Sequence, residues 1–274
     1  MALMECKFFS RKLMLQTSMF VYIPTPTMDD ENFGRLDQYF EEGKKYPTLY
    51  LLHGLSDDHS AWLRNTSIER YAEAKKIAIV MPAADHSFYT DMAYGKPYYS
   101  YFSEELPQIA RTLFPLSSKR EDNFVAGLSM GGYGAFKLAL SNPEKYAAAA
   151  SLSGALNLYK VANSLAQKTH KGSPTLLPLH QVAMNAFGNM GELSGTEHDL
   201  NYLAERVKES NTEIPKLYQC CGTEDYVYEV NEDFKDFTKK IGLDLTYEEG
   251  PGGHDWSYWD TQIQRVLQWL PVKQ

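Results

Sequence analysis

An α/β architecture, with a mostly parallel central sheet and helices on both faces, is predicted by three observations. Short apolar runs alternate with amphipathic segments along most of the chain, the pattern that a parallel sheet covered on both sides requires. The run Asn123-Phe124-Val125-Ala126 leads into Gly127-Leu128-Ser129-Met130-Gly131-Gly132 and then into a helical pattern over Gly134 to Leu140, which describes a strand, a sharp turn and a helix. The 274 residues are 43% hydrophobic and 23% charged, a globular composition with enough apolar surface for a large core.

Residues 4 to 23 alternate polar and apolar side chains through Phe8, Leu13, Leu15, Met19, Val21 and Ile23, predicting two antiparallel strands at a sheet edge. Pro24 to Tyr46 is polar and punctuated by proline, hence a surface loop. Thr48 to Leu52 is a fully buried central strand running into His53-Gly54-Leu55. A helix starts near Asn65 or Thr66, where Thr66-x-x-Glu69 fits a capping box. Ile77 to Met81 is the next strand, stopped by Pro82, and Phe102, Leu106, Ile109 and Leu113 mark a helix despite Pro107.

After the central turn, the helix closes at Asn142-Pro143. Strands follow at Tyr146–Leu152, Lys216–Cys221 and Leu243–Tyr247, with helices at Val230–Ile241 and Trp256–Leu270. Between Gly154 and Leu200 the periodicity breaks into Gly, Pro, Asn and Met. This is expected to be a cap-like insertion over about residues 155–200, a lid within a single domain spanning 1–274.

The net charge of −8 argues against a nucleic-acid or anionic-membrane partner. No run approaches the ~18 apolar residues of a membrane span. The N-terminus has no apolar stretch of signal-peptide type, so a cytoplasmic location is expected. Cys6, Cys220 and Cys221 suit buried thiols better than a disulfide framework. With 19 Tyr, 13 Phe and 4 Trp, the chain can wall an apolar pocket. Trp62, Tyr98 and Trp259, with Gly54, are the candidate substrate-binding residues, while plain core packing remains an equal reading of the aromatics.

Ser129 on its glycine-flanked turn is the candidate nucleophile. Glycines 127, 131 and 132 allow the chain to approach itself closely, and the Met130 amide points to where an oxyanion would form. In open parallel sheets, reacting groups follow the carboxyl ends of strands. Asp225 lies just past the strand ending at Cys221, with Glu224 as its competitor, and His254 follows the last strand through a glycine-rich loop. The order Ser129, Asp225, His254 then supplies nucleophile, orienting carboxylate and general base. The second oxyanion donor is assigned to the Leu55 amide, with His53 holding that loop. A metal site at His53-x3-Asp57-Asp58-His59 lacks a recognisable ligand spacing, so no metal and no cofactor are expected.

On these residues the sequence resembles the α/β-hydrolase family of small esterases that includes bacterial tributyrin esterases and the esterase D group. Leu51-Leu52-His53-Gly54-Leu55-Ser56, Gly127 to Gly134, Cys221-Gly222-x-x-Asp225-x-x-Tyr228-Glu229 and Gly253-His254-x-Trp256-x-x-Trp259 are similar to its successive blocks. The resemblance implies a serine carboxylesterase acting on short-chain acyl esters, of tributyrin type or on acetylated or feruloylated sugars. Its partner would be a small-molecule ester, and a homo-oligomer is left open. S-formylglutathione hydrolases and acyltransferases share the fold. From the former the sequence departs at Leu128, where they usually carry histidine, and at Trp256. A hydrolase-fold binding protein without activity would normally lack a triad member, and none is missing here.

Overall fold

A computed structural model describes residues 1–26, 28, 42–161 and 177–273. Most of the expected loop from Pro24 to Tyr46, and residues 162–176 of the expected cap-like insertion, lie outside the described residues.

The chain opens with β1 (Ala2–Ser10) and β2 (Leu15–Ile23), which pair antiparallel from Ala2 with Ile23 to Ser10 with Leu15. Next come β3 (Thr48–Leu52), the short helices α1 (Ala61–Asn65) and α2 (Ile68–Glu73), and β4 (Ala78–Pro82). A π-helical turn at Tyr101–Glu105 leads without a break into α3 (Leu106–Leu113), and Pro107 lies at this junction. The centre of the chain is β5 (Asn123–Leu128), α4 (Met130–Ser141) and β6 (Ala148–Leu152). Helices α5 (Leu177–Phe187) and α6 (Leu200–Glu209) precede β7 (Lys216–Gly222), α7 (Tyr228–Ile241), β8 (Thr246–Gly250) and α8 (Trp256–Trp269).

These form one eight-stranded sheet of order β1-β2-β4-β3-β5-β6-β7-β8. β2 runs antiparallel to both its neighbours, β1 and β4, and the remaining neighbours are parallel. Strands β3, β5 and β6 are buried along their whole length, as strands covered on both faces must be. Along β3 the side chains alternate between two cores: Leu49 and Leu51 pack with Ile68 of α2 and Ile263 of α8, Tyr50 and Leu52 with Phe136 of α4 and Leu203 of α6. Among the described residues no helix is long and apolar enough to cross a membrane.

Two expectations about elements need correction, and one helix was not expected. Thr66 does not cap a helix with Glu69. Its hydroxyl donates to the Trp62 carbonyl at 2.6 Å and accepts from the Ile68 amide at 3.1 Å, so it closes α1 and opens α2. The last strand is Thr246–Gly250 rather than Leu243–Tyr247, because Gly242 (φ 67°) ends α7 in the left-handed conformation and Leu243 is used to anchor that exit in the core. Helix α6 carries an unread signal: Asp199 accepts from the Asn201 amide at its N-terminus, and Leu200, Leu203, Ala204 and Val207 form its buried stripe.

Candidate active site

The site assembles at the carboxyl ends of β3, β5, β7 and β8. Ser129 joins β5 to α4 with φ 54° and ψ −116°, a conformation that a residue bearing a Cβ adopts only under constraint. Its amide donates to the Leu152 carbonyl, and its own carbonyl accepts from the Gly132, Tyr133 and Ala155 amides at 3.0–3.2 Å. The flanking glycines are needed for space. A Cβ at Gly131 would lie 2.6 Å from the Leu52 carbonyl oxygen and 2.7 Å from that of His53. A Cβ at Gly132 would lie 2.6 Å from Ser151 Oγ, and one at Gly127 would strike the Gly131 carbonyl.

His254 Nε2 lies 2.9 Å from Ser129 Oγ, and its Nδ1 lies 2.9 and 3.0 Å from the two Asp225 oxygens. Nδ1–H therefore donates to Asp225, which leaves Nε2 to accept the serine proton. The Asp225 side chain is fully buried, and its Oδ1 also accepts from the Val227 amide at 2.9 Å, so its direction is fixed. Glu224 is engaged elsewhere, accepting from the Gly252 amide, and that contact holds its carboxyl below the usual range. Gly222 and Gly252 lie so close that a Cβ on Gly222 would strike the Gly252 carbonyl, which pins the His254 loop to the end of β7.

The loop after β3 packs directly on this turn. A Cβ at Gly54 would stand 2.7 Å from Leu128 Cδ1 and 3.8 Å from the Ser129 Cβ. Neither the Leu55 amide nor the Met130 amide donates to a backbone carbonyl among the described residues, and Met130 opens helix α4, whose N-terminus favours negative charge. His53 keeps this loop in place: Nδ1 donates to the Gly54 carbonyl at 2.7 Å and Nε2 accepts from the Ala84 amide at 2.9 Å. Both ring nitrogens are thus occupied, and burial lowers the imidazole pKa to about 4. Tyr89 adds a bond from its hydroxyl to the His53 carbonyl at 2.8 Å, and the Asp57 amide donates to the Gly54 carbonyl at 3.3 Å.

The aromatic candidates divide. Trp62 is 1% exposed, donates to the Leu52 carbonyl and stacks edge-on with Trp256, so it is a core residue and not a pocket wall. Tyr98 is likewise buried, against Tyr101. Trp259 reaches the site, its ring standing perpendicular to His254 at 4.9 Å. Tyr226, not singled out in the sequence, also stands against the imidazole, its ring 4.4 Å away.

Behind the turn, Lys137 of α4 is buried with its ammonium donating to Thr90 Oγ1 at 2.8 Å and to His198 Nδ1 at 3.1 Å. Burial lowers the Lys137 pKa to about 8, and burial together with Lys137 lowers that of His198 to about 4. Tyr133 donates to the His198 carbonyl at 3.0 Å. A cavity of about 320 Å³ opens beside this cluster, lined by Leu156, Leu158, Leu193, His198 and Leu200 among others.

Comparison with known proteins gives this geometry its setting. Residues 32–270 match the family described as "Putative esterase". The chain belongs to this family. The esterase is 31% identical to an acetyl esterase of Caldicellulosiruptor saccharolyticus over 98% of each chain. It is 37% identical, with a TM-score of 0.85 over 100% of this chain and 99% of the other, to the fluorophosphonate-binding serine hydrolase FphF of Staphylococcus aureus, solved with substrate bound. An S-formylglutathione hydrolase (FrmB) of the same organism is 38% identical, with a TM-score of 0.80 over 98% of both chains. The esterase therefore has the α/β-hydrolase fold and is a serine carboxylic ester hydrolase of the esterase D group.

Proposed function

We propose that Ser129, His254 and Asp225 hydrolyse small acyl esters through an acyl-enzyme, with the Leu55 and Met130 amides as the oxyanion hole. The observation that carries this reading is the single imidazole spanning Ser129 Oγ at 2.9 Å and Asp225 at 2.9 Å. His254 takes the hydroxyl proton as Oγ bonds to the ester carbon, and the carbonyl oxygen gains charge facing the two amides. The tetrahedral species collapses with loss of the alkoxy group, which receives the proton from His254. Water then attacks the acyl-enzyme by the same route, and Ser129 leaves with its proton restored. A small acyl group is supported by the acetyl esterase relative.

Hydrolysis of p-nitrophenyl esters from acetate to octanoate, with tributyrin, an acetylated sugar and methyl ferulate alongside, tests the reading. Turnover should be greatest on the shortest chains and vanish in Ser129→Ala. Undiminished turnover in that variant would end the proposal.

A thioester is the second reading, supported by the 38% identity with the staphylococcal S-formylglutathione hydrolase. It uses the same acyl-enzyme with a thiolate as the leaving group. Faster turnover of S-formylglutathione than of any oxygen ester would favour it.

A further inference from the structure

We propose that β1 is a dimerisation edge: it pairs antiparallel with β1 of a second copy of this chain, in the register that sets Cys6 opposite Cys6, and so continues one sheet into the next. β1 ends the sheet order, and among the described residues no strand pairs with its outer side. It is nine residues long, from Ala2 to Ser10, and is paired with β2 along its whole length. That leaves the backbone amides and carbonyls of every second residue as a template for another strand. Both faces of β1 also keep apolar surface uncovered. Leu3 and Phe9 are 40% and 49% exposed on one face. On the other, Met4, Cys6 and Phe8 are only partly buried against the core.

Charge selects both the occupant and the register. Glu5 and Lys7 are the two charged residues of the strand, exposed on the same face as Leu3 and Phe9. Glu5 Oε1 lies 3.5 Å from Lys7 Nζ and 3.7 Å from His59 Nε2. With Cys6 opposite Cys6, Glu5 faces Lys7 of the second copy, Leu3 faces Phe9, and Met4 faces Phe8, each match occurring twice across the two-fold axis. Both charges are matched and all nine residues are used. Sliding the pairing by two residues one way brings Glu5 opposite Glu5, and the other way Lys7 opposite Lys7. Like charges so placed are destabilising. The same two charges therefore discourage other strands from adding at this edge and admit a second β1 in one register. The opposite edge offers no such match, because self-pairing along β8 would set Glu248 against Glu248. Strands β2, β4 and β3 separate β1 from β5 and Ser129, so ester turnover reports folding independently of association.

Sedimentation velocity over a dilution series tests the proposal on wild type, Glu5→Lys, Lys7→Glu and the double exchange Glu5→Lys/Lys7→Glu, with p-nitrophenyl acetate turnover showing that each is folded. Wild type should form dimers. Each single exchange places two like-charged pairs across the axis and should weaken dimerisation roughly tenfold or more. The double exchange restores the match and should return the dissociation constant to within about threefold of wild type. A second measurement needs no charge variant. Residues directly opposite in an antiparallel pair have Cα atoms about 4.5–5.5 Å apart, within disulfide reach, while Cys220 and Cys221 are buried at 0% exposure. Diamide, which takes up the two thiol hydrogens, should convert wild type to a covalent dimer on a non-reducing gel and leave Cys6→Ser unlinked. Wild type that stays monomeric up to about 100 μM, where a micromolar contact would be filled, overturns the proposal. A dimer that the single exchanges leave intact has its interface elsewhere, and one that does not cross-link through Cys6 has another register; either result overturns it as well.

Discussion

The indole nitrogen of Trp259 donates to Ser153 Oγ at 3.1 Å, and this bond sets the ring that stands perpendicular to His254. Ser153 is itself held at φ 48° at the end of β6, with its amide on the Cys220 carbonyl. The imidazole is thus steadied by a ring whose anchor lies on a neighbouring strand. Trp259→Phe keeps a ring and removes the donor, so kcat should fall about fivefold, the equivalent of ~1 kcal/mol, with KM little changed. Steady-state kinetics on a short p-nitrophenyl ester would show it.

Ser129, the nucleophile we propose, is also a strained residue. Ser129→Ala should lose roughly 10³-fold or more in turnover while melting close to wild type. Ser129→Gly should be equally inactive yet more stable by about 1 kcal/mol, since glycine adopts φ 54° and ψ −116° without penalty. Paired calorimetric scans of the two variants decide this.

Asp225 and Glu224 are adjacent carboxylates with different tasks. Asp225→Asn replaces the acceptor of His254 Nδ1–H and should cost about 10⁴-fold in kcat. Glu224→Gln loosens only the bond to the Gly252 amide and should stay within a few-fold. Reversed outcomes in the same assay would exchange their roles.

Gly131 faces two carbonyl oxygens that cannot retreat without moving the end of β3. Gly131→Ala would place a Cβ 2.6 Å from the Leu52 oxygen, and the displaced loop carries Leu55. Stability should drop by about 1–3 kcal/mol and activity should fall with it, as urea denaturation and kcat together would reveal.

Acid should weaken the fold through His53. Its pKa is lowered in the folded state to about 4 from 6.5, so the unfolded chain binds the proton more readily between those values. The stabilisation is complete above pH 6.5, declines as pH falls, and stops changing below about pH 4. At pH 5 the loss from this residue is about 2 kcal/mol. His198 acts in the same direction. Denaturation midpoints should fall across this window, with a shallower slope in a folded His53→Asn variant.

How far the sequence could be read depended on whether the signal was local. The turn at Ser129 announces itself because three glycines must lie within five residues of one serine, and the order of Asp225 and His254 follows from strand ends. Helix α6 was equally legible in Asp199 and the stripe from Leu200 to Val207. The true start of β8 was not, because Leu243 and Leu245 look like strand residues while pairing begins at Thr246 opposite Tyr218. Trp62 and Tyr98 were misplaced for a related reason: an aromatic side chain suits a core and a cleft equally until neighbours are known. Tyr226 depends on a ring-to-ring approach across separate loops, which no spacing encodes.

Ser129, Asp225 and His254 hang from β5, β7 and β8, whereas the chain that leaves β6 supplies none of them. That chain is tied at its beginning by the Ala155 amide on the Ser129 carbonyl. It is tied again at His198 by Lys137 and Tyr133. Leu156, Leu158 and Leu193 line the cavity of about 320 Å³ without carrying any of the three side chains, so substitutions at these positions should change which molecules fit there while Ser129, Asp225 and His254 keep their places.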